Sequence, residues 1–191
     1  TVSLVHTRLA IIDIEDRSNQ PFHSDDNRYW IVFNGEIYNY KEIREELENK
    51  GYSFHTSGDT EVLLKGFICY KEKILDKLRG QFAFVIYDSI EKTTFLARDR
   101  IGIKPLYFSK YKEWIVFGSE MKTIESSKLI PFIPDTESYM TYMRHLCIPG
   151  SSTGNKNISK VRPGEYVTFS KSGEIKTYKY WDPFSFEIDY E

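Results

Sequence analysis

The alternation of apolar and polar positions divides the chain into a helix-bearing first half and a strand-rich second half. Residues 2–12 (VSLVHTRLAII) are apolar and β-branched with polar interruptions, which predicts a strand. Asp13 to Ser24 is polar, contains Pro21 and predicts a loop. Residues 28–34 (RYWIVFN) predict a second strand, with Gly35 directly after it. Over 39–50, Tyr40, Ile43 and Leu47 fall on one helical face with charges opposite, and Gly51 is the expected stop. A short strand at 52–55 leads into Ser57-Gly58-Asp59. A second helix starts there, with Val62, Leu63, Phe67 and Tyr70 on its apolar face. A short helix over 71–78 ends near Gly80.

The second half reads as hairpins. QFAFVIYD (81–88) and TTFLARD (93–99) form one, and PLYFSK (105–110) and WIVFGS (114–119) form another. Helical turns follow near 120–126 and 135–146, then a Ser/Gly/Asn-rich loop over 150–159. GEYVTFS and EIKTYKYW make a last hairpin, and the tail after residue 180 reads as a linker. Two helices followed by sheet-rich hairpins predict an α+β fold with helices layered on sheets.

A length of 191 residues suits one domain with a substantial core. Aromatic residues at 16% reinforce the lean toward sheet. Charge removes two partner classes. Lys plus Arg is 26 against 28 for Asp plus Glu, a net of −2, so neither nucleic acid nor a membrane surface is expected. No apolar run has transmembrane length, and TVSLVHTRL lacks the features of a signal peptide. Cys69 and Cys147 lie far apart, which suggests a reduced, cytoplasmic chain in which Cys69 is a core thiol. The four histidines, His6, His23, His55 and His145, are scattered without metal-ligand spacing, so no metal is expected.

Three clusters could do chemistry. In Asn34-Gly35-Glu36, a glycine at a strand end brings backbone N–H groups close to a ligand, and the Asn amide adds a donor. The Glu36 carboxylate could hold an ammonium. Taken alone, these residues favour an ordinary Asn-Gly turn. In Ser57-Gly58-Asp59-Thr60-Glu61, Asp59 either faces a cavity as a second anionic grip, or it or Ser57 caps the helix. Arg8 stands in an apolar strand. It either clamps a ligand carboxylate bidentately or pairs with an internal acid. Together the clusters offer one cation, two carboxylates and a pair of oxyanion donors, an inventory that fits an amino acid carrying a reactive amide.

The strings HTRLAIID (6–13), NGEIYN (34–39) and GDTE (58–61), followed by GQFAF (80–84), ARDRIGIKPLY (97–107) and GSEMK (118–122), resemble the class II glutamine amidotransferase domain. The form GEIYN is most similar to that domain in glutamine-hydrolysing asparagine synthetases. The resemblance covers essentially the whole chain, taken as a domain over 1–180 and the start of a linker over 181–191. It implies an Ntn-hydrolase fold, a four-layer sandwich of two antiparallel sheets between helical layers. It also implies glutamine hydrolysis by an N-terminal cysteine thiolate, with ammonia passed to an ATP-dependent synthetase domain in cis.

By motif, the resemblance implies that Arg8 binds the glutamine carboxylate, with the backbone of Leu9, Ala10, Ile11 and Ile12 lining the pocket. Asn34 and Gly35 would form the oxyanion hole, and Glu36 and Asp59 would hold the ammonium. Two departures follow. The Met-Cys-Gly start is missing, and so is the pyrophosphate loop of a synthetase domain. The expectation is therefore an N-terminally truncated piece that does not hydrolyse glutamine by itself and carries no cofactor of its own. ATP and Mg would serve the synthetase domain, and a homodimer is left open. Two other readings remain: a glutamine-binding or regulatory module without a nucleophile, and a piece with no ligand.

Overall fold

The computed structural model describes residues 2–7, 13 and 15–185. Its strands alternate, and the alternation sorts side chains into layers. The helix-side strands begin with β1 (Phe22–His23) and β2 (Tyr29–Ile37). Helices α1 (Tyr40–Glu48), α2 (Asp59–Tyr70) and α3 (Ile74–Lys77) come next. Strands β3 (Gly80–Asp88) and β4 (Thr93–Arg98) form the first hairpin, and β5 (Tyr107–Tyr111) and β6 (Trp114–Gly118) the second. After α4 (Met121–Ser126) and α5 (Thr136–His145) come β7 (Ser159–Lys160), β8 (Glu165–Phe169) and β9 (Ile175–Lys179). The strands build two antiparallel sheets, β1-β2-β3-β4-β8-β9 and β6-β5-β7.

One face of the larger sheet is apolar toward the helices. Ile31, Phe33 and Ile37 of β2, Phe82, Phe84 and Ile86 of β3, and Phe95 and Ala97 of β4 pack with Ile43 and Leu47 of α1 and with Val62, Leu63 and Phe67 of α2. The intervening residues point the other way. Val32, Ala83, Val85, Leu96, Val167 and Phe169 meet Leu106, Phe108, Ile115 and Phe117 of the smaller sheet's side. The far face of the smaller sheet carries Tyr107, Tyr111 and Val116, which pack with Ile124 of α4 and with Ile130 and Ile158. Period-two alternation therefore yields helix, sheet, sheet and helix layers, the expected α+β sandwich.

Three expectations are corrected. Residues 2–7 are irregular, and Leu4 alone among them packs against the inter-sheet core. Residues 8–12, the rest of the predicted strand, lie outside the described residues. Residues 52–55 are loop: Tyr52 and Phe54 lean on the helical core, but the His55 and Thr56 N–H groups go to the Glu61 carboxylate instead of a neighbouring strand. The expected strand end before Gly35 is absent, because β2 continues through Gly35 and Glu36 to Ile37. The two-residue strands β1 and β7 were missed because they sit in polar, loop-like stretches and bear too few residues to alternate.

Candidate functional site

The chemistry of Asn34-Gly35-Glu36 depends on β2 being a sheet edge at this point. β2 pairs with β3 over its whole length, while β1 covers its other side only at Trp30 and Ile31. In an antiparallel pair, alternate residues turn their N–H and C=O away from the partner. On β2 the odd-numbered residues do so. The Phe33 N–H donates to Gln20 Oε1 at 2.6 Å, and Gln20 Nε2 donates to the Phe33 carbonyl at 3.1 Å. One carboxamide thus replaces a neighbouring strand there. The Ile37 N–H donates to Asp59 Oδ2 at 3.0 Å. Gly35 shares this parity, so its N–H points off the edge between two clamped neighbours. Phe82, opposite Gly35, is engaged elsewhere: its N–H goes to Asp99 Oδ2 at 3.2 Å and its carbonyl accepts the Asp99 N–H at 2.8 Å.

Gly35 has φ +145, and a Cβ there would lie 2.0 Å from the Gln81 carbonyl oxygen. The strands approach so closely here that no side chain fits, and this explains the glycine better than a turn does. Asn34 and Glu36 share the parity of Val32, which faces the inter-sheet layer. Asn34 is exposed and Glu36 half-buried.

Asp59 begins α2 as its first helical residue and is buried. Of the two readings for this turn, neither Ser57 nor Asp59 occupies the N-cap position, which is Gly58. Burial raises the Asp59 carboxyl above its ordinary value. The Ile37 N–H and the helix's own amides pull the other way, and the charge of Glu36 adds to the rise. Two carboxylates therefore stand close enough to repel, and a cation placed between them relieves both.

The loop before Asp59 is fixed by a buried network. Glu61 accepts from the Thr56 N–H and hydroxyl, each at 2.7 Å, and pairs with Lys65 at 2.8 Å. Arg44 Nη2 donates to the Thr56 carbonyl at 2.8 Å. Ser57 is used elsewhere than at the cap: its N–H and hydroxyl both donate to Asp13 Oδ2, at 2.6 and 3.0 Å.

The structure brings Asn34, Gly35, Glu36 and Asp59 to one end of β2. Arg8, Leu9, Ala10, Ile11 and Ile12 lie outside the described residues. Gln20 and Asp13 were missed as contributors. Each stands in a polar loop, and only the long-range pairing reveals its use. Cys69 packs on the helical core ten residues along α2 from Asp59, about 15 Å away at helical rise. Among the described residues, no cluster of three or more His, Cys, Asp or Glu could hold a metal, and no helix is long and apolar enough to cross a membrane.

Comparison with known proteins identifies the family of the chain. Residues 1–181 match the glutamine amidotransferase domain family. Asparagine synthetase (glutamine-hydrolyzing) 1 of Bacillus subtilis (strain 168) is 46% identical over 173 residues, which are 90% of this chain and 27% of that protein. Asparagine synthetase (glutamine-hydrolyzing) 3 of the same organism is 37% identical over 181 residues, 93% of this chain and 29% of that protein. The chain thus spans between a quarter and a third of the length of these relatives. Among solved structures, glutamine phosphoribosylpyrophosphate amidotransferase from B. subtilis, complexed with ADP and GMP, superposes with a TM-score of 0.66 at 23% identity. That match covers 92% of this chain and 34% of the other, and it supports the Ntn-hydrolase fold.

Proposed function

The chain belongs to the glutamine amidotransferase domain family, and from that premise we propose that it is the glutamine-binding, ammonia-releasing part of an asparagine synthetase. The observation that carries this reading is the gap that the described residues leave in the β2 edge. Gln20 holds Phe33 and Asp59 holds Ile37, which leaves the Gly35 N–H directed outward beside the exposed Asn34 amide. When a thiolate attacks the glutamine side-chain amide, the carbonyl oxygen becomes an oxyanion. The Gly35 N–H and Asn34 Nδ2 are the donors assigned to it. Donors fixed in advance stabilise such charge without reorganising during the reaction. Glu36 and Asp59 take the α-ammonium and Arg8 the α-carboxylate, with the backbone of residues 9–12 along the substrate. The attacking thiolate is assigned to neither Cys69 nor Cys147.

Further parts of the proposal concern the whole protein. Released ammonia is used by a synthetase domain in cis, where ATP and Mg serve the conversion of aspartate to asparagine. Those cofactors are given no residues in this chain. A cytoplasmic location and a homodimer belong to the same proposal. The support is the similarity to the two Bacillus synthetases.

Calorimetry with glutamine tests the site. Asp59→Asn keeps an acceptor for the Ile37 N–H but removes the charge. It is expected to weaken binding by about tenfold or more, at about 1.4 kcal/mol per decade, with the melting temperature little changed. Binding that is unaffected by this variant, or no binding by the folded chain, would overturn the reading.

A further inference from the structure

A glutamine site has a geometric problem that its contact residues do not solve. The ammonium and carboxylate of glutamine hang from one carbon, so the groups that hold them must keep a fixed spacing. Functional groups of this kind work only when held to within about 0.5 Å. In this chain the proposed grips, Arg8 and Asp59, sit in distant segments. We infer that Asp13 is a positioning residue that ties the segment carrying Arg8 to the turn carrying Asp59, and so sets the spacing of the two grips. The inference rests on the glutamine reading above.

Asp13 lies five positions after Arg8, and Ser57 two positions before Asp59. The two residues are 44 positions apart and joined by two bonds to one carboxylate oxygen, from the Ser57 N–H at 2.6 Å and the Ser57 hydroxyl at 3.0 Å. Arg17 Nη2 approaches the same oxygen at 3.4 Å. The Asp13 side chain is only 1% exposed, and a carboxylate so enclosed is costly unless hydrogen-bonded. Burial pushes its carboxyl up. The Ser57 N–H and hydroxyl, the Ser18 hydroxyl and Arg17 outweigh that and bring it down to about 2.

The turn lies beside this residue: a Cβ on Gly58 would stand at an ordinary contact distance, 3.6 Å, from Asp13 Cβ. Asp13 itself has φ +48, a left-handed backbone that a non-glycine residue keeps only where its surroundings over-determine it. The Ser57 side of the link is rigid, because Glu61 holds the amides of residues 55 and 56 and Arg44 holds the Thr56 carbonyl. A helix-capping role does not account for Ser57, since the N-cap of α2 is Gly58.

The test compares the full chain with Asp13→Ala, Asp13→Asn, Ser57→Ala and the Asp13→Ala/Ser57→Ala double variant. Glutamine affinity is read by calorimetry and amide hydrogen exchange is read without ligand. Asp13→Ala is expected to weaken glutamine about tenfold or more. Asp13→Asn, whose carboxamide oxygen still accepts both bonds, is expected to recover most of the loss. The double variant is expected to be no weaker than Asp13→Ala, because both changes break one link.

Without glutamine, the Ser57 amide, which donates to Asp13 Oδ2, should exchange faster in Asp13→Ala and in Ser57→Ala, with the amides of β3 unchanged. Unchanged affinity with unchanged exchange overturns the inference. So does equal acceleration in β3, which would mark a general loss of stability. If the parent chain binds no glutamine, the functional reading fails, while the exchange measurement still decides whether Asp13 is a tether.

Discussion

Asp59 performs two tasks with one carboxylate: Oδ2 accepts the Ile37 N–H at the sheet edge, and the group faces the charge of Glu36. Its folded carboxyl is raised above the ordinary 3.8, first by burial and then by Glu36. A carboxyl shifted this way stabilises the fold while protonated, and that contribution is lost as pH rises through the elevated value. An α-ammonium needs the ionised form, so ligand binding should expel the proton. Glutamine affinity is therefore expected to fall as pH drops through the elevated range. Near and below the elevated value the calorimetric heat should vary with buffer ionisation enthalpy in the sense of proton release, and the variation should fade as pH rises well past it. An affinity flat across this range would refute the role of Asp59. The chemistry of Asn34, Glu36 and Asp59 was legible in the sequence because amide and carboxylate types are explicit there. The setting of Gly35 was not. Asn-Gly ordinarily marks a turn, and its use within a paired strand depends on the Gln81 carbonyl 46 positions away.

The turn between β4 and β5 shows how one element can be wound on its own side chains. Asp99 is fully buried and accepts N–H groups from Phe82, Ile101, Ile103 and Lys104. Arg98 donates to the carbonyls of Lys104, Val161 and Gly102, which joins the turn to the loop that follows β7. Asp99→Ala leaves the buried Phe82 N–H and three part-buried N–H groups without this acceptor, at about 1–3 kcal/mol for each that water does not reach. A loss of at least about 3 kcal/mol is expected in denaturant unfolding. Asp99→Asn should lose less, since one acceptor oxygen remains. Helices and hairpins were legible wherever a run of alternating or helically spaced apolar residues had a partner to bury against, as in residues 81–88. Residues 52–55 alternate aromatic and polar side chains too, but Glu61 takes the His55 N–H and the Thr56 N–H after it, and no ladder forms there.

At the scale of the molecule, the two sheets meet through a smaller apolar cluster than the one the helices cover. Phe169 is 1% exposed and meets Phe108 of the other sheet edge to face, with centroids 5.6 Å apart. Phe169→Ala should cost about 3–5 kcal/mol in denaturant unfolding. Ile175→Ala, on the exposed outer strand, should stay within about 0.5 kcal/mol. The layer order could be expected from resemblance, whereas the sequence alone implied only helices layered on sheets. Which strands share a sheet is decided by long-range pairing such as β4 with β8, and local pattern carries no trace of that.

The close approach of β2 and β3 also limits how this site can vary over generations. Gly35 is pressed against the Gln81 carbonyl and Gly80 against the Glu36 carbonyl, at 2.0 and 2.2 Å from where a Cβ would stand. Each obstacle is main chain, present whatever side chain the opposing residue bears. A crowded core position can be rescued by a smaller neighbour, but here no second substitution makes room. Both positions are therefore closed to drift for as long as the two strands remain paired, and the geometry around Asn34 and Glu36 is inherited with them.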